Sequence, residues 1–312
     1  MYKKLKKFGR VTENANLKEY NTFKIGGTVK YLVEPDNSVD LRELIEYLNR
    51  KEIKYMIIGN GSNIIFSDNE YDGVLIKLSE MNTIEIYPAI QTAFVEAGAM
   101  LPKVAAECLE EGLSGFEWAS GIPGTIGGAI VGNAGAYLSC TFDRLKNVTV
   151  IDPDGNFRKI KKEDISYGYR TSMFKERKKW IILVAEFALE SCNRDEIKSQ
   201  MAERAKRRIE EQPLDMPTAG SVFRNPNPKE IEDIIKKHKL KQTHAGYLIE
   251  KVGLKGKKIG GAEISTKHAN FIVNTGDATA QDVKSLIELA HDEVYNKYGI
   301  DLIMEQEFIG WE

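Results

Sequence analysis

The sequence predicts an α+β protein of two domains, and three observations support this class. A chain of 312 residues with 42% apolar content exceeds the roughly 250–300 residues at which one hydrophobic core stops growing. Short apolar runs with strand character dominate up to about residue 190. Beyond residue 191 charged helical stretches alternate with short strands. We therefore expect a strand-rich first domain over 1–190 and a smaller mixed domain over 191–304.

The first domain begins with a β-α unit. Residues 30–34 form an apolar strand, and Asn37 caps a helix whose apolar residues recur at helical spacing. Residues 55–58 form a second strand, which ends in Gly-Asn-Gly-Ser-Asn at 59–63. Backbone N–H groups at the carboxyl end of a strand commonly hold phosphates in α/β folds. A turn between two strands explains these glycines equally well, so the loop is a candidate phosphate site.

Glycine is concentrated in residues 115–135, which hold seven of the chain's 26 glycines. Such a cluster persists where the backbone needs positive φ or approaches another group closely, because glycine loses the most backbone entropy on folding. Apolar residues such as Trp118 and Ile126 argue against a flexible linker. We interpret the stretch as a buried or half-buried loop against a flat or phosphorylated ligand, with a tight structural connection as the alternative.

The remaining elements follow from strand, cap and helix signals. In the first domain we predict strands at 74–78, 83–87, 92–97, 147–151, 157–160 and 180–189, and a helix from Pro102 to Gly112. In the second domain we predict helices at 195–211, from Asn227, at 244–252 and from Thr279 to Gly299, and strands at 271–274 and 302–309.

Composition excludes several classes of protein. A net charge of −2, from 44 basic and 46 acidic residues, argues against a general nucleic-acid binder. Apolar runs fall far short of the ~20 residues that cross a bilayer, and the basic N-terminus has no apolar segment behind it. Three cysteines without a C-x-x-C pair and four histidines without ligand spacing predict reduced thiols and no metal. We expect a cytoplasmic protein and take it as a monomer.

Eight segments, in order, resemble the FAD-dependent UDP-N-acetylenolpyruvoylglucosamine reductases of bacterial peptidoglycan synthesis. They span nearly the whole chain and are NTFKIGG (21–27), IIGNGSN (57–63), SGIPGTIGGAIVGNAGAY (120–137), YGYRTSMF (167–174), AGSVFRNP (219–226), AGYLIEKVGLKG (245–256), GGAEISTKHANFIVN (260–274) and a closing L-x-x-E (302–305). No long insertion separates the Arg170 and Ser221 motifs, so the chain resembles the branch that lacks an extra tyrosine-bearing loop. Two residues beside Glu305 depart from the family pattern. Position 304 is Met where the family more often has Pro or Arg, and position 306 is Gln where it more often has Val.

The resemblance implies a vanillyl-alcohol-oxidase-like, PCMH-type FAD-binding fold in two subdomains, about 1–80 and 81–190. A substrate-binding domain would follow over 191–304, and a C-terminal strand, 305–312, would return to the FAD side. Glycine-rich backbone can cradle the FAD pyrophosphate, and the planar flavin demands small neighbours. The implied FAD-binding residues are Asn60, Gly61, Ser62, Asn63, Gly121, Gly124, Thr125, Gly127, Gly128 and Asn133.

The implied reaction moves hydride from NADPH to FAD and then to the enolpyruvyl ether of UDP-N-acetylglucosamine enolpyruvate, giving UDP-N-acetylmuramate. The substrate's α-carbon is left as an enolate conjugated to a carboxylate, so the site needs fixed positive charge. By family position Arg170 supplies it, because a guanidinium stays ionised and grips a carboxylate bidentately. Ser221 is carried over as proton donor, since a weak acid suffices against so strong a base. Without the resemblance, Arg170 would be interpreted as an ordinary surface arginine and Ser221 as an ordinary serine in a turn.

Glu305 is the third implied catalytic residue. A carboxylate would repel an anionic intermediate, so we expect Glu305 to be protonated part of the time or to work through Arg170. Apolar neighbours such as Leu302 and Phe308 would disfavour its charged form, whereas Glu307 suits a solvated edge. The implied contacts to the diphosphate and sugar of the substrate are Arg207, Asn225, Lys255, Lys267, His268 and Asn270.

Two other functions fit the same residues. One is another flavoprotein of this fold, such as an oxidase or dehydrogenase of a small alcohol. The other is a non-catalytic nucleotide-sugar binding protein that retains the scaffold. FAD absorbance in the purified protein, and its bleaching by NADPH, would separate the three.

Overall fold

A computed structural model describes residues 1–177 and 179–311, and the chain divides into two compact units. The first unit contains Met1–Ala15, Val29–Asn60 and Asp72–Arg207. The second contains Asn16–Thr28, Gly61–Tyr71 and Arg208–Glu312. Each unit is therefore assembled from separate stretches of sequence.

The strands are short and numerous. They are β1 (Gly9–Asn16), β2 (Thr28–Pro35), β3 (Tyr55–Ile58), β4 (Ile64–Phe66), β5 (Tyr71–Lys77), β6 (Ile84–Tyr87), β7 (Thr92–Glu96), β8 (Leu113–Ser114), β9 (Gly135–Ala136), β10 (Ser139–Cys140), β11 (Leu145–Ile151), β12 (Phe157–Lys161), β13 (Tyr167–Gly168), β14 (Thr171–Ser172), β15 (Ile181–Ala188), β16 (Glu190–Ser191), β17 (Lys258–Ile259), β18 (Ala262–Ile264), β19 (Ile272–Asn274) and β20 (Glu307–Ile309).

The α-helices range from one turn to five. They are α1 (Tyr2–Leu5), α2 (Ser38–Arg50), α3 (Leu101–Glu110), α4 (Ile126–Gly132), α5 (Thr141–Arg144), α6 (Met173–Glu176), α7 (Arg194–Glu211), α8 (Glu232–His238), α9 (Ala245–Lys251) and α10 (Ala280–Tyr298). None in the described part of the chain is long and apolar enough to cross a membrane.

The first unit is built on two sheets. A four-stranded sheet has the order β1-β2-β5-β3, and a five-stranded antiparallel sheet has the order β12-β11-β15-β7-β6. The predicted β-α start is confirmed by β2 and α2, and the Asn37 side chain accepts hydrogen bonds from the backbone of Val39 and Asp40. The strands predicted at 147–151 and 157–160 are β11 and β12, which pair as an antiparallel hairpin whose turn is held by Asp152. One buried apolar cluster joins side chains from both sheets.

The glycine-rich stretch 115–135 is not a single loop, which corrects our prediction. A 3₁₀-helix covers Glu117–Ala119, and α4 begins directly after residue 125. The reason is local, because Thr125 accepts a hydrogen bond from the backbone N–H of Gly128, and Ile126, Ala129 and Ile130 fall at helical spacing and are buried. Residues 115–116, 120–125 and 133–134 lie outside the named helices and strands.

The second unit has its own core. An antiparallel sheet of order β17-β18-β19 contacts α10, and β20 pairs in parallel with β4. Phe23, Ile25 and Ile65 come from early in the sequence, are fully buried, and pack in one cluster with the apolar face of α10. Thr279 and Asp282 form a capping box at the start of α10.

Two predicted bounds are wrong. The helix expected from Asn227 begins at Glu232, because the Asn227 side chain bonds the backbone N–H of Lys229 and the Glu230 carboxylate, which makes a turn. The strand expected at 302–309 is reduced to β20, because its upstream part bonds the backbone next to Ser221 instead of β4.

Candidate active site

In the first unit the two glycine segments touch each other. A Cβ at Gly59 would lie 2.3 Å from the Thr125 hydroxyl oxygen, and one at Gly127 would lie 3.1 Å from the Ala97 Cβ. The Asn60 amide donates to the carbonyl oxygen of Pro123 at 2.9 Å. Close approach of the Thr125 side chain to Gly59, and of Ala97 to Gly127, therefore explains these two glycines.

A cavity of about 340 Å³ opens beside this contact. Its volume lies in the range of small-molecule pockets. It is lined by Gly59, Asn60, Lys77, Leu78, Ser79, Asn82, Gly98, Met100, Lys103 and Thr125. Glycine walls where a Cβ would collide, polar side chains and two lysines together fit part of a dinucleotide that carries phosphates. These residues fit FAD.

Lys77 and Lys103 are cavity residues that sequence reasoning missed. Lys77 ends β5, and Lys103 lies in the first turn of α3, where a lysine reads as an ordinary surface residue. Lys103 is 57% exposed and its ammonium lies 3.8 Å from a Glu107 oxygen. The sequence could not have predicted that these two lysines share a cavity, because they are far apart in the chain and only the fold brings them together.

Asn133 supports the Arg170 turn through bonds inside the protein. It ends α4 with φ 42°, and its amide donates to the carbonyl oxygen of Gly168 at 2.9 Å. Ser172 donates to the carbonyl oxygen of Val131 at 2.8 Å. Both ends of the β13-β14 hairpin are thereby tied to α4.

Arg170 occupies the tip of that hairpin in a left-handed conformation, with φ 58°. Such a conformation costs a non-glycine residue about 1–2 kcal/mol, and strain of this kind clusters at functional sites. The guanidinium donates to the carbonyl oxygen of Gly135 at 2.8 Å and lies 5.2 Å from the Tyr169 ring centroid. The side chain is half-buried, and its bond to Gly135 restrains its direction.

In the second unit the backbone around Ser221 bonds the backbone of Glu305. The Glu305 N–H donates to the carbonyl oxygen of Val222 at 2.8 Å, and the Arg224 N–H donates to that of Ile303 at 2.9 Å. Ser221 forms a bridge with Phe271 on its other side. This unit therefore brings two of the predicted catalytic residues, 84 positions apart in sequence, into one local ladder.

Asn63 joins the same ladder. Its amide donates to the carbonyl oxygen of Glu305 at 3.1 Å, and its own carbonyl oxygen accepts from the Glu307 N–H at 3.0 Å. Gly61 in this loop has φ 63°, and a Cβ there would lie 2.4 Å from the carbonyl oxygen of Tyr20. Ser62 between them is half-buried.

Several predicted substrate contacts also have partners inside the protein. Asn270 is buried, and its amide both donates to and accepts from the Phe223 backbone, at 2.8 and 3.0 Å. Asn225 accepts from the Ala245 N–H at the start of α9. His268 accepts from the Asn270 N–H, and burial lowers the pKa of its imidazole. These three brace the Ser221 turn and the adjoining loop.

The predicted cationic contacts lie at the surface of their units. Lys255 pairs with Glu250 at 3.1 Å, and the Arg207 guanidinium lies 5.9 Å from the Tyr137 ring centroid. Lys267 bonds the carbonyl oxygen of Ile209 and lines a second cavity, of about 420 Å³, within the second unit. Exposed apolar side chains, Leu214 and Met216 among them, form part of its wall.

Comparison with known proteins identifies the class and then the family. Residues 29–161 match the FAD binding domain, and residues 212–309 match the UDP-N-acetylenolpyruvoylglucosamine reductase C-terminal domain. The fold is thus that of an FAD-dependent oxidoreductase, as the resemblance implied.

Full-length relatives narrow this class. A UDP-N-acetylenolpyruvoylglucosamine reductase of Caldanaerobacter subterraneus subsp. tengcongensis is 41% identical over 308 residues, covering 99% of this chain and 96% of the relative. One of Caldicellulosiruptor bescii is 43% identical, covering 94% and 89%. The crystal structure of the reductase from Thermus caldophilus superposes with a TM-score of 0.80 at 32% identity, covering 97% of this chain and all of that one. The chain belongs to the UDP-N-acetylenolpyruvoylglucosamine reductase family.

Proposed function

We propose that this protein reduces the enolpyruvyl ether of UDP-N-acetylglucosamine enolpyruvate to UDP-N-acetylmuramate, with NADPH as the reductant. Its similarity to reductases of this family over nearly the whole chain carries the proposal. We further propose that it acts as a monomer in the cytoplasm, which analytical ultracentrifugation and fractionation of cells would test.

FAD, when bound, supplies the redox chemistry by taking hydride from NADPH and giving it to the β-carbon of the substrate. The cavity beside Gly59 and Thr125 suits its phosphate-bearing part, with Lys77 and Lys103 as counter-charges. The remaining FAD contacts would come from the two glycine segments, from Asn60, Gly61, Ser62 and Asn63 in the first and from Gly121, Gly124, Gly127 and Gly128 in the second.

Arg170 would hold the substrate carboxylate and stabilise the charge that develops when the α-carbon becomes an enolate. Its bond to the Gly135 carbonyl oxygen supports this role, because a restrained donor needs little rearrangement during the reaction. A lysine could not replace it, since an ammonium lacks the planar pair of donors.

Ser221 would give its hydroxyl proton to the α-carbon. Its backbone is held on both sides, by the bond between Glu305 and Val222 and by the bridge to Phe271. A hydroxyl held in one place can protonate a strong base despite its weak acidity. Glu305 would stand beside this turn and assist the same proton transfer.

Basic side chains would bind the diphosphate of the substrate. Lys267 lines the cavity of the second unit, and Lys255 and Arg207 are further candidates. The apolar wall of the cavity would suit the flat face of a nucleobase or sugar.

One anaerobic titration tests the proposal. The purified protein should be yellow, NADPH should bleach it, and the enolpyruvyl nucleotide should restore the colour. Bleaching by a small alcohol instead of NADPH would favour another flavoprotein activity of this fold. The purified protein could instead be colourless, bind the nucleotide sugar and stay inactive when FAD is added. That result would favour a non-catalytic nucleotide-sugar binding protein.

A further inference from the structure

Gln306 links the candidate catalytic Glu305 to the turn that carries Ser221. The side chain is 3% exposed, and its amide nitrogen donates to the carbonyl oxygen of Gly220 at 3.0 Å. Gly220 immediately precedes Ser221 and has φ 78°. The bond therefore acts on the peptide unit that leads into the candidate proton donor.

Apart from the Gln306 bond, the peptide between Gly220 and Ser221 is restrained by the bridge of Ser221 to Phe271. A Cβ at Gly220 would meet no heavy atom within 4 Å, so side-chain packing does not restrain this residue. Bonds to Glu305 and Asn270 act one residue later, at Val222. Because a peptide unit is planar, holding the Gly220 oxygen also sets the direction of the Ser221 N–H and Cα.

The amide oxygen of Gln306 indicates that the bond from its amide nitrogen has a functional role. Its amide oxygen is buried and has no hydrogen-bond partner among residues 1–177 and 179–311. An unsatisfied buried acceptor is destabilising, so an apolar side chain of similar length would suit the packing better. The donor end is the part that an apolar side chain could not replace.

We propose that Gln306 is a positioning residue that orients the Ser221 hydroxyl by fixing the Gly220–Ser221 peptide plane. The inference rests on the proposed function, in which Ser221 protonates the α-carbon. It concerns only the half-reaction that consumes this proton. Reduction by NADPH does not involve Ser221 and is independent of Gln306.

The first variant, Gln306→Met, keeps the length of the side chain and removes its donor. We expect anaerobic bleaching by NADPH within about twofold of native, and reoxidation by the enolpyruvyl nucleotide about tenfold slower, the size of one lost hydrogen bond. Stopped-flow absorbance of the flavin measures both rates in the same FAD-loaded protein.

The second variant, Gln306→Glu, adds a readout that a purely structural role would not move. A carboxylate cannot donate to the Gly220 oxygen, whereas a protonated carboxyl can. We expect its reoxidation rate, relative to native, to recover as the pH is lowered from 8 to 5.5. This pH ratio also decides the matter if Gln306→Met fails to fold.

Trp311→Phe is the matched control, because it removes a side-chain bond to a backbone carbonyl, that of Ile65 at 3.2 Å, within the same unit. It should leave both half-reactions native. Three outcomes would overturn the inference, provided that the native protein is reduced by NADPH and reoxidised by substrate. They are reoxidation of Gln306→Met at the native rate, equal slowing of its two half-reactions, and a defect in Gln306→Glu that does not change with pH. Native protein that NADPH does not bleach would instead refute the proposed function.

Discussion

At the scale of single residues, polar side chains near the site serve mainly to hold other residues. Asn63 and Asn270 were predicted to touch ligands, yet their amides bond backbone atoms 242 and 47 positions away in the sequence. No local pattern reveals partners at such distances. The Asn37 cap, by contrast, was predictable because its partners lie two and three residues on.

Replacing Ser221 separates the two half-reactions. In Ser221→Ala we expect bleaching by NADPH at the native rate and loss of at least 100-fold in reoxidation by substrate, since general-acid catalysis contributes about 10²–10⁴-fold. Single-turnover absorbance measures both steps. Thr218→Val, which removes a hydroxyl bonded to the Ile272 carbonyl oxygen in the same segment, is the control. Reoxidation of Ser221→Ala at the native rate would refute the proton-donor role.

Lys103 should contribute to FAD affinity through its charge. For Lys103→Met we expect about fivefold to tenfold weaker binding at 50 mM salt and a smaller difference at 500 mM, because salt screens exposed charges. Titration of apoprotein with FAD, followed by flavin fluorescence, measures this. Lys51→Met, at the end of α2, should match native protein. Equal affinities of the Lys103 variant and native protein at low salt would contradict the assignment.

At the scale of elements, β15 is the central strand of the five-stranded sheet and holds a charge cluster. Burial alone would raise the pKa of Glu186, but hydrogen bonds from Lys146, Asn147 and Lys159 lower it to about 2. A carboxyl whose pKa is lowered in the folded protein stabilises the fold at pH values above its ordinary pKa of 4.5. That stability is lost as the pH falls from 4.5 towards 2.

The Glu186→Gln variant should therefore lose less stability in acid. Between pH 5 and pH 2 we expect the free energy of unfolding of native protein to fall by about 2 kcal/mol more than that of the variant, after allowance for screening of the exposed lysines. Urea unfolding at each pH measures the difference. Glu163→Gln, at an exposed ion pair, should follow native protein. Parallel pH profiles for native protein and Glu186→Gln would contradict this account.

At the scale of the whole molecule, the sequence predicts the order of most helices and strands but not which stretches fold together. The periodicity of α2 and α10 is local and was read correctly. Nothing in the composition of residues 16–28 or 61–71 marks them as part of the second unit. That grouping arises because Phe23, Ile25 and Ile65 complete a core whose other buried members come after residue 208.

A fragment of residues 208–312 should consequently not fold alone. It lacks Phe23, Ile25 and Ile65, whose burial contributes about 1.5–3 kcal/mol each, a sum comparable to the whole stability of a domain. We expect no cooperative thermal transition by circular dichroism, in contrast to the full chain. A sharp transition in the fragment would show that the early segments are dispensable.

The parallel pairing of β4 with β20 also sets an order of events during synthesis. During synthesis, residues Ile64–Phe66 emerge from the ribosome long before Glu307–Ile309 has been translated. The nascent chain must carry unpaired apolar segments for most of its elongation, which exposes them to aggregation and to chaperones. Slowed translation near the 3′ end of the message would therefore lengthen that exposure more than a pause of equal duration at the start.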